Sequence, residues 1–277
     1  MQNSLSYSLN IGGKLLSFER PCVMGILNAT PDSFVPSSRN TTEAEVERRV
    51  CQIVEQGGDI IDVGGVSTRP GADEVSEEEE MQRLRLALRV VRRFAPTMPL
   101  SVDTFRASVT ERIFDEFGPF LVNDVSGGAD PDMFPLVARL GLPYVLTHNP
   151  MPKQSLSVNS VGEALKELSA SLSRLREYGQ KDVVIDPGFG FGKSLSENYL
   201  FFRHLSAFHA LECPVLVGVS RKSMIYRLLD ITPEDALTGT TVLHTLALTQ
   251  GAHLLRVHDV EAAVQVRKMF EAVSQAS

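Results

Sequence analysis

No apolar run in the 277-residue chain approaches the roughly 18 residues that a membrane-spanning helix needs. The first 20 residues show no basic stretch followed by an apolar one, so no secretory signal is expected. Cysteine is scarce. Cys22, Cys51 and Cys213 are odd in number, scattered, and form no Cys-x-x-Cys. This argues against a disulfide framework or a structural zinc site and leads us to expect a soluble protein of the reducing cytoplasm. An excess of basic charge is missing too: 27 Lys and Arg face 34 Asp and Glu, for a net charge of −7. Nucleic acid and anionic membranes are therefore not expected partners, and any anionic ligand must be met by local cations. Linkers, low-complexity segments and G-x-G-x-x-G are also missing.

What is present is an ordinary globular composition, 43% hydrophobic and 22% charged, enough to bury a core. Short apolar runs alternate with amphipathic stretches. The runs are 22–27, 59–63, 99–103, 120–123, 143–148, 182–186, 214–219 and 253–257. They are continuous rather than alternating, as strands buried on both faces read. Helix signals lie between them. Ser76 to Glu79 reads as a capping box before Met81, Leu84, Leu88 and Val91, and Thr42 with Glu45 opens a helix closed by Gly57-Gly58. Thr232-Pro233 reads as the start of another helix, ending at Gly251. Eight such βα units predict a (β/α)₈ barrel of the TIM type, because eight strands close around an interior that side chains fill. Residues 7–18 read as a hairpin around Gly12-Gly13 capping the barrel's bottom. The expected organisation is one domain over 1–277, with the hairpin within 1–20.

In such a barrel the active site lies at the C-terminal ends of the strands. Those positions carry Asn28, Asp62, Asp103, Asn123, His148, Asp186, Ser220-Arg221-Lys222, Arg256 and His258. Any one of them could be a helix cap or half of a surface ion pair. A convergent set is better explained as one polar pocket. Asp103, Asn123 and Asp186 suit a flat, donor-rich heterocycle, since a carboxylate accepts two parallel N–H bonds from an amide–amidine edge. Arg69, Lys222, Arg256 and His258 suit a phosphate or diphosphate. Asn28 offers the neutral oxygen that Mg²⁺ accepts when phosphate oxygens and waters supply its other ligands.

The stretch "DPGFGFGKS" (186–194) ends like a P-loop, but the required first glycine falls on Pro187 and Gly188 comes one place late. Alternating Gly and Phe instead suggests a backbone passing close to a planar ligand, with Phe189 or Phe191 against its face.

Seven blocks, 24–34, 59–72, 101–105, 122–128, 186–193, 218–224 and 256–260, closely resemble in order those of the bacterial dihydropteroate synthases. The resemblance covers the chain from about residue 5 to its end. It implies a barrel that joins 6-hydroxymethyl-7,8-dihydropterin diphosphate to p-aminobenzoate, releasing diphosphate, with Mg²⁺ as cofactor and a homodimer as the usual assembly. It also implies membership of an enzyme class that sulfonamides target. Carried over by motif, Asp103, Asn123, Asp186 and Lys222 would hold the pterin, with Arg256 along its face and Gly218 and Phe191 nearby. Asn28, Arg69, Arg256 and His258 would meet diphosphate, with Asn28 on the metal. Thr68, Pro70, Arg221 and Ser223 would surround p-aminobenzoate, and Phe34 would close over it. The catalytic set would be Asn28, Lys222, Arg256 and His258.

Three stretches depart from the family pattern: Val66 before Ser67, "VPSSRN" at 35–40, and "THNPMP" at 147–152, where Asn149 replaces an apolar pterin neighbour. Two rival readings remain at this point. A pterin-binding methyltransferase domain would need no anion site, against which the run 220–223 and the pair Arg256 and His258 speak. A non-catalytic pterin-binding barrel would release no diphosphate.

Overall fold

A strand covered on both faces must be apolar on both, and this is how the continuous runs are used. In the computed structural model, which describes residues 7–29, 42–66, 75–150 and 161–276, eight parallel strands follow a hairpin. The hairpin is β1 (Ser8–Ile11) and β2 (Lys14–Ser17). The parallel strands are β3 (Cys22–Asn28), β4 (Ile60–Gly64), β5 (Leu100–Asp103), β6 (Leu121–Asp124), β7 (Tyr144–Thr147), β8 (Val183–Asp186), β9 (Leu216–Val217) and β10 (Leu254–Val257). Their order is β8-β7-β6-β5-β4-β3-β10-β9. A parallel bridge between Ile185 and Val215 brings β8 against the chain entering β9, so the sheet comes almost full circle. Each expected run holds a strand, though the run at 214–219 is reduced to Leu216–Val217.

The helices are α1 (Glu43–Glu55), α2 (Glu77–Phe94), α3 (Ala107–Phe117), α4 (Met133–Leu140), α5 (Val161–Glu177), α6 (Leu195–Arg203), α7 (Ser223–Leu229), α8 (Leu237–Thr249) and α9 (Val260–Gln275). Thr42 and Glu45 form a complete, reciprocal capping box at α1. At α2 only half of the expected box exists. Ser76 accepts from the Glu79 amide, but the Glu79 carboxylate turns to Arg83 at 2.6 Å. A Glu and Arg four apart on one helix face compete with the cap for the same carboxylate. The expected start of α8 at Thr232-Pro233 is also corrected. Thr232 and Asp235 close a turn on themselves, with hydroxyl to carboxylate at 2.9 Å, and the helix begins at Leu237.

Strand side chains alternate, so each strand feeds two cores. The outward set, including Val23, Ile61, Val102, Val122, Leu146 and Ile185, packs under the helices. The inward set forms a second cluster: Met24, Ile60, Leu121, Val145, Val184, Leu216 and Leu254. Leu9, Ile11 and Phe18 from the hairpin join this inner cluster, so the hairpin closes the lower mouth of the barrel, as expected. The turn sits close against the barrel. A Cβ at Gly12, whose φ is +59°, would fall 2.0 Å from Pro119 Cγ. Only the upper mouth remains open to chemistry.

Candidate active site

The inward positions two residues above the apolar floor are polar. Above Ile60 stands Asp62, above Leu121 stands Asn123, above Val184 stands Asp186, and above Leu254 stands Arg256. The alternation that makes the floor apolar thus delivers these groups into one space. Arg256 is at its centre. Its Nε donates to Asp62 Oδ2 at 2.6 Å, and its second terminal nitrogen donates to Asp103 Oδ2 at 2.5 Å. Asp62 also accepts from Ser101 Oγ at 2.6 Å and from Asn123 Nδ2 at 3.1 Å. Asp62 is fully buried and holds three neighbours in place. Sequence reasoning counted it in the polar pocket at the strand ends but gave it no ligand role. The available signal was a carboxylate inside an otherwise apolar run at 59–63.

The loop after β8 supplies the facing wall. Asp186 Oδ1 accepts from the Gly188 amide at 2.7 Å. Lys222 donates to the Phe189 carbonyl at 2.5 Å and lies 4.8 Å from the centre of the Phe191 ring. Of the two candidate aromatics, Phe189 is fully buried and packs on Phe202. Phe191, partly exposed beside Lys222, is the one positioned to meet a ligand. Gly218 lies between Arg256 and Lys222, since a Cβ there would be 3.9 Å from both Arg256 Cβ and Lys222 Nζ. Lys193 is a further missed residue. Its Nζ donates to the carbonyls of His148 at 3.0 Å, Gly188 at 2.8 Å and Phe191 at 3.3 Å, binding the loop to the end of β7.

The remaining expected residues are distributed as follows. Asn28 ends β3 half-buried, beside Asp103, and His258 follows β10. Ser223 opens α7. Arg221, at φ 54°, is committed elsewhere: its Nε and one terminal nitrogen donate to the two carboxylate oxygens of Asp259, at 2.8 and 2.9 Å, and its other terminal nitrogen donates to the carbonyls of Pro233 and Glu234. In this structure it fastens the loop before α7. Asn149 donates to the Val125 carbonyl at 2.8 Å, so its amide braces the β6 loop. Phe34, Thr68, Arg69 and Pro70 lie outside the described residues.

The electrostatics follow from this crowding. Asp62, Asp103 and Asp186 face Arg256 and Lys222, with Lys193 also acting on Asp186. Burial, aided by Asp62 and opposed by Arg256, pushes Asp103 up to about 7. Burial likewise raises Asp186 against the pull of Lys222. Lys222 is lowered by burial to about 8, with Asp186 holding it up, and burial lowers Lys193 to about 7. A ligand edge carrying N–H donors would relieve both carboxylates.

The chain is similar to known proteins. The sequence model of a family described as pterin binding enzymes matches residues 24–258. A dihydropteroate synthase of Escherichia coli strain K12 is 38% identical over 272 residues, covering 95% of each chain. The crystal structure of a Yersinia pestis dihydropteroate synthase in a sulfonamide drug complex superposes with a TM-score of 0.89 at 34% identity, covering 98% of this chain and 100% of that one. That of a Xanthomonas albilineans dihydropteroate synthase with 4-aminobenzoic acid gives 0.88 at 39% identity, covering 99% and 100%.

The raised Asp103 carboxyl makes a prediction. Asp103 ordinarily titrates near 3.8 and stands at about 7 in the fold, so between those values the folded chain holds a proton that the unfolded chain has released. The stability from this group is full below the lower value and is lost as pH rises through the higher one. Asp103→Asn has no such proton to lose. Thermal melts of the two proteins should therefore diverge between about pH 4 and pH 7, the native chain losing stability relative to the variant. Parallel melting curves would contradict the assignment.

Proposed function

The chain belongs to the pterin-binding enzyme family and carries out the dihydropteroate synthase reaction, and from that premise we propose how its residues divide the work. The observation that carries the reading is the Asp62–Arg256–Asp103 arrangement, with Asn123 and Asp186 on the same inner layer. It offers acceptors to a ring edge and a cationic plane beneath the ring.

Asp186 and Asp103 accept the N–H groups of the dihydropterin, Asn123 meets its remaining polar edge, and Arg256 lies along its face between Gly218 and Phe191. Lys222 reaches the ring from the β8 loop. The diphosphate extends toward Asn28 and His258, with Arg69 as a further cationic partner. Breaking the bond between the methylene carbon and the diphosphate oxygen leaves positive charge that the electron-rich ring spreads, and Arg256 and His258 stabilise the departing anion. The amine of p-aminobenzoate then bonds to the methylene carbon and sheds a proton. Ser223, Thr68, Pro70 and Phe34 form its site. Arg221 contributes by fixing the loop that carries Lys222 and Ser223.

The donor set also bears on the expected magnesium. Among the described residues no group of three or more His, Cys, Asp or Glu could hold a metal ion. Asn28 offers a single neutral oxygen at the rim, which suits Mg²⁺ carried chiefly by diphosphate oxygens and water. Bound there, the ion would neutralise charge on the leaving group. The cytoplasm is the compartment that three unpaired cysteines fit, and no described helix is long and apolar enough to cross a membrane. A homodimer fits the exposed apolar residues Val242 and Leu246 of α8 and Met269 and Val273 of α9, two helices that pack together.

The test is diphosphate release from both substrates, with and without Mg²⁺. Asp186→Asn removes a charge and an acceptor from the ring edge. It should weaken pterin diphosphate binding by about 1.5–3 kcal/mol, with native-like affinity by calorimetry counting against the role. Lys222→Ala should weaken binding of a pterin without diphosphate, whereas His258→Ala should hardly change it; equal losses would remove the division between ring and anion ends. Sedimentation should give twice the 30.4 kDa of one chain, and a single-chain mass would exclude the dimer.

A further inference from the structure

Thr147 is the last residue of β7, and its neighbours fix its direction. Tyr144 and Leu146 belong to the outer core under the helices, while Val145 belongs to the inner cluster of the barrel floor. Alternation therefore aims Thr147 inward, one layer above Val145. The register pairs it directly with Asp186 on β8. Thr147 is 2% exposed, and its hydroxyl has no hydrogen-bond partner among the described residues. Buried hydroxyls in native proteins are almost always paired, so an orphan facing a polar pocket needs an explanation.

The backbone around it is fixed. The Thr147 carbonyl is closely overlaid by the β6 loop, where a Cβ at Gly127 would come within 2.5 Å of it. Two residues on, Asn149 ties the chain to the Val125 carbonyl at 2.8 Å. The next residue, His148, turns outward and stacks on Phe201. Only the rotation of the Thr147 side chain is free to seek a partner, and it turns beside Asp186.

We propose that the Thr147 hydroxyl hydrogen-bonds the edge of the bound heterocycle next to Asp186 and sets the pocket's preference for a ring with a polar atom there. The hydroxyl both donates and accepts, so it serves a ring N–H or a ring nitrogen. A ring lacking that atom would leave the hydroxyl buried and unpaired, which is how such a site rejects an isosteric analogue. This rests on the pterin reading above, and Thr147 acts as a specificity-determining residue within it.

Thr147→Val and Thr147→Ser separate this role from a structural one. Valine fills the same volume without the hydroxyl. Calorimetry with 6-hydroxymethylpterin should show Thr147→Val binding about tenfold more weakly, with Thr147→Ser within about threefold of native. KM for the pterin diphosphate should rise by the same factor in Thr147→Val, with KM for p-aminobenzoate and kcat little changed. The valine variant should melt no lower than the native protein, because it removes an unpaired polar group. Pterin binding by Thr147→Val within twofold of native overturns the proposal. So does a lowered melting temperature accompanied by equal losses for both substrates. Native protein is assayed alongside: absence of diphosphate release there would overturn the reaction assignment, while the pterin titrations would still decide the role of Thr147.

Discussion

The buried pairing of Arg256 with Asp62 and Asp103 is the constraint around which the upper barrel is arranged. A guanidinium inside a barrel loses its hydration, at a cost of several kcal/mol, unless carboxylates meet it at close range. Two do so here, from adjacent strands β4 and β5, while the arginine comes from β10 on the far side of β3. Replacing such a cluster with well-packed apolar residues is often neutral or stabilising. Its presence above a floor of Met24, Ile60, Leu121, Val145 and Leu254, which shows what an apolar layer looks like here, therefore points to function.

The two layers divide the labour. The lower one, closed by Leu9, Ile11 and Phe18 of the hairpin, supplies the burial that carries stability. The upper one carries charge that the fold does not fully compensate. Asp103 and Asp186 are both raised because burial penalises the charged carboxylates by more than the nearby cations relieve. Lys193 shows the same economy on the cationic side. It meets three carbonyls rather than a carboxylate, and burial brings it down to about 7. The loop it fastens is the one that carries Phe191 to the pocket.

Much of this was legible in the sequence because it follows from periodicity. The eight runs reported strands, and the last inward position of each run reported the polar layer, from Asp103 and Asn123 to Asp186 and Arg256. What could not be read was which partner each side chain chooses. Glu79 leaves its cap for Arg83, and Arg221 turns to Asp259. Phe189 and Phe191 are indistinguishable in the string, yet one fills the core while the other stands beside Lys222. Asp62 was visible only as a strand-end acid, because the three donors that converge on it come from residues 101, 123 and 256, distant in sequence. The start of α8 was misplaced because Thr-Pro signals a first turn without saying whether the helix continues from it.

The charge imbalance also gives the site its directionality. A neutral ring with several N–H donors is stabilised most where acceptors outnumber donors, which is the space between Asp186 and Asp103. An anion is repelled from that same space, which leaves the rim, where Asn28 ends β3 and His258 follows β10, as its place on the reading proposed above. A substrate that carries both features is therefore oriented by the field before any close contact forms, ring downward and anion outward. On the roles proposed above, the reacting carbon would lie between the two regions, with the leaving group toward solvent and the amine on the side of Ser223. On the same reading Arg256 serves both regions. Its fixed position between two carboxylates costs no rearrangement as charge shifts from ring to leaving group, which is the condition for electrostatic preorganisation.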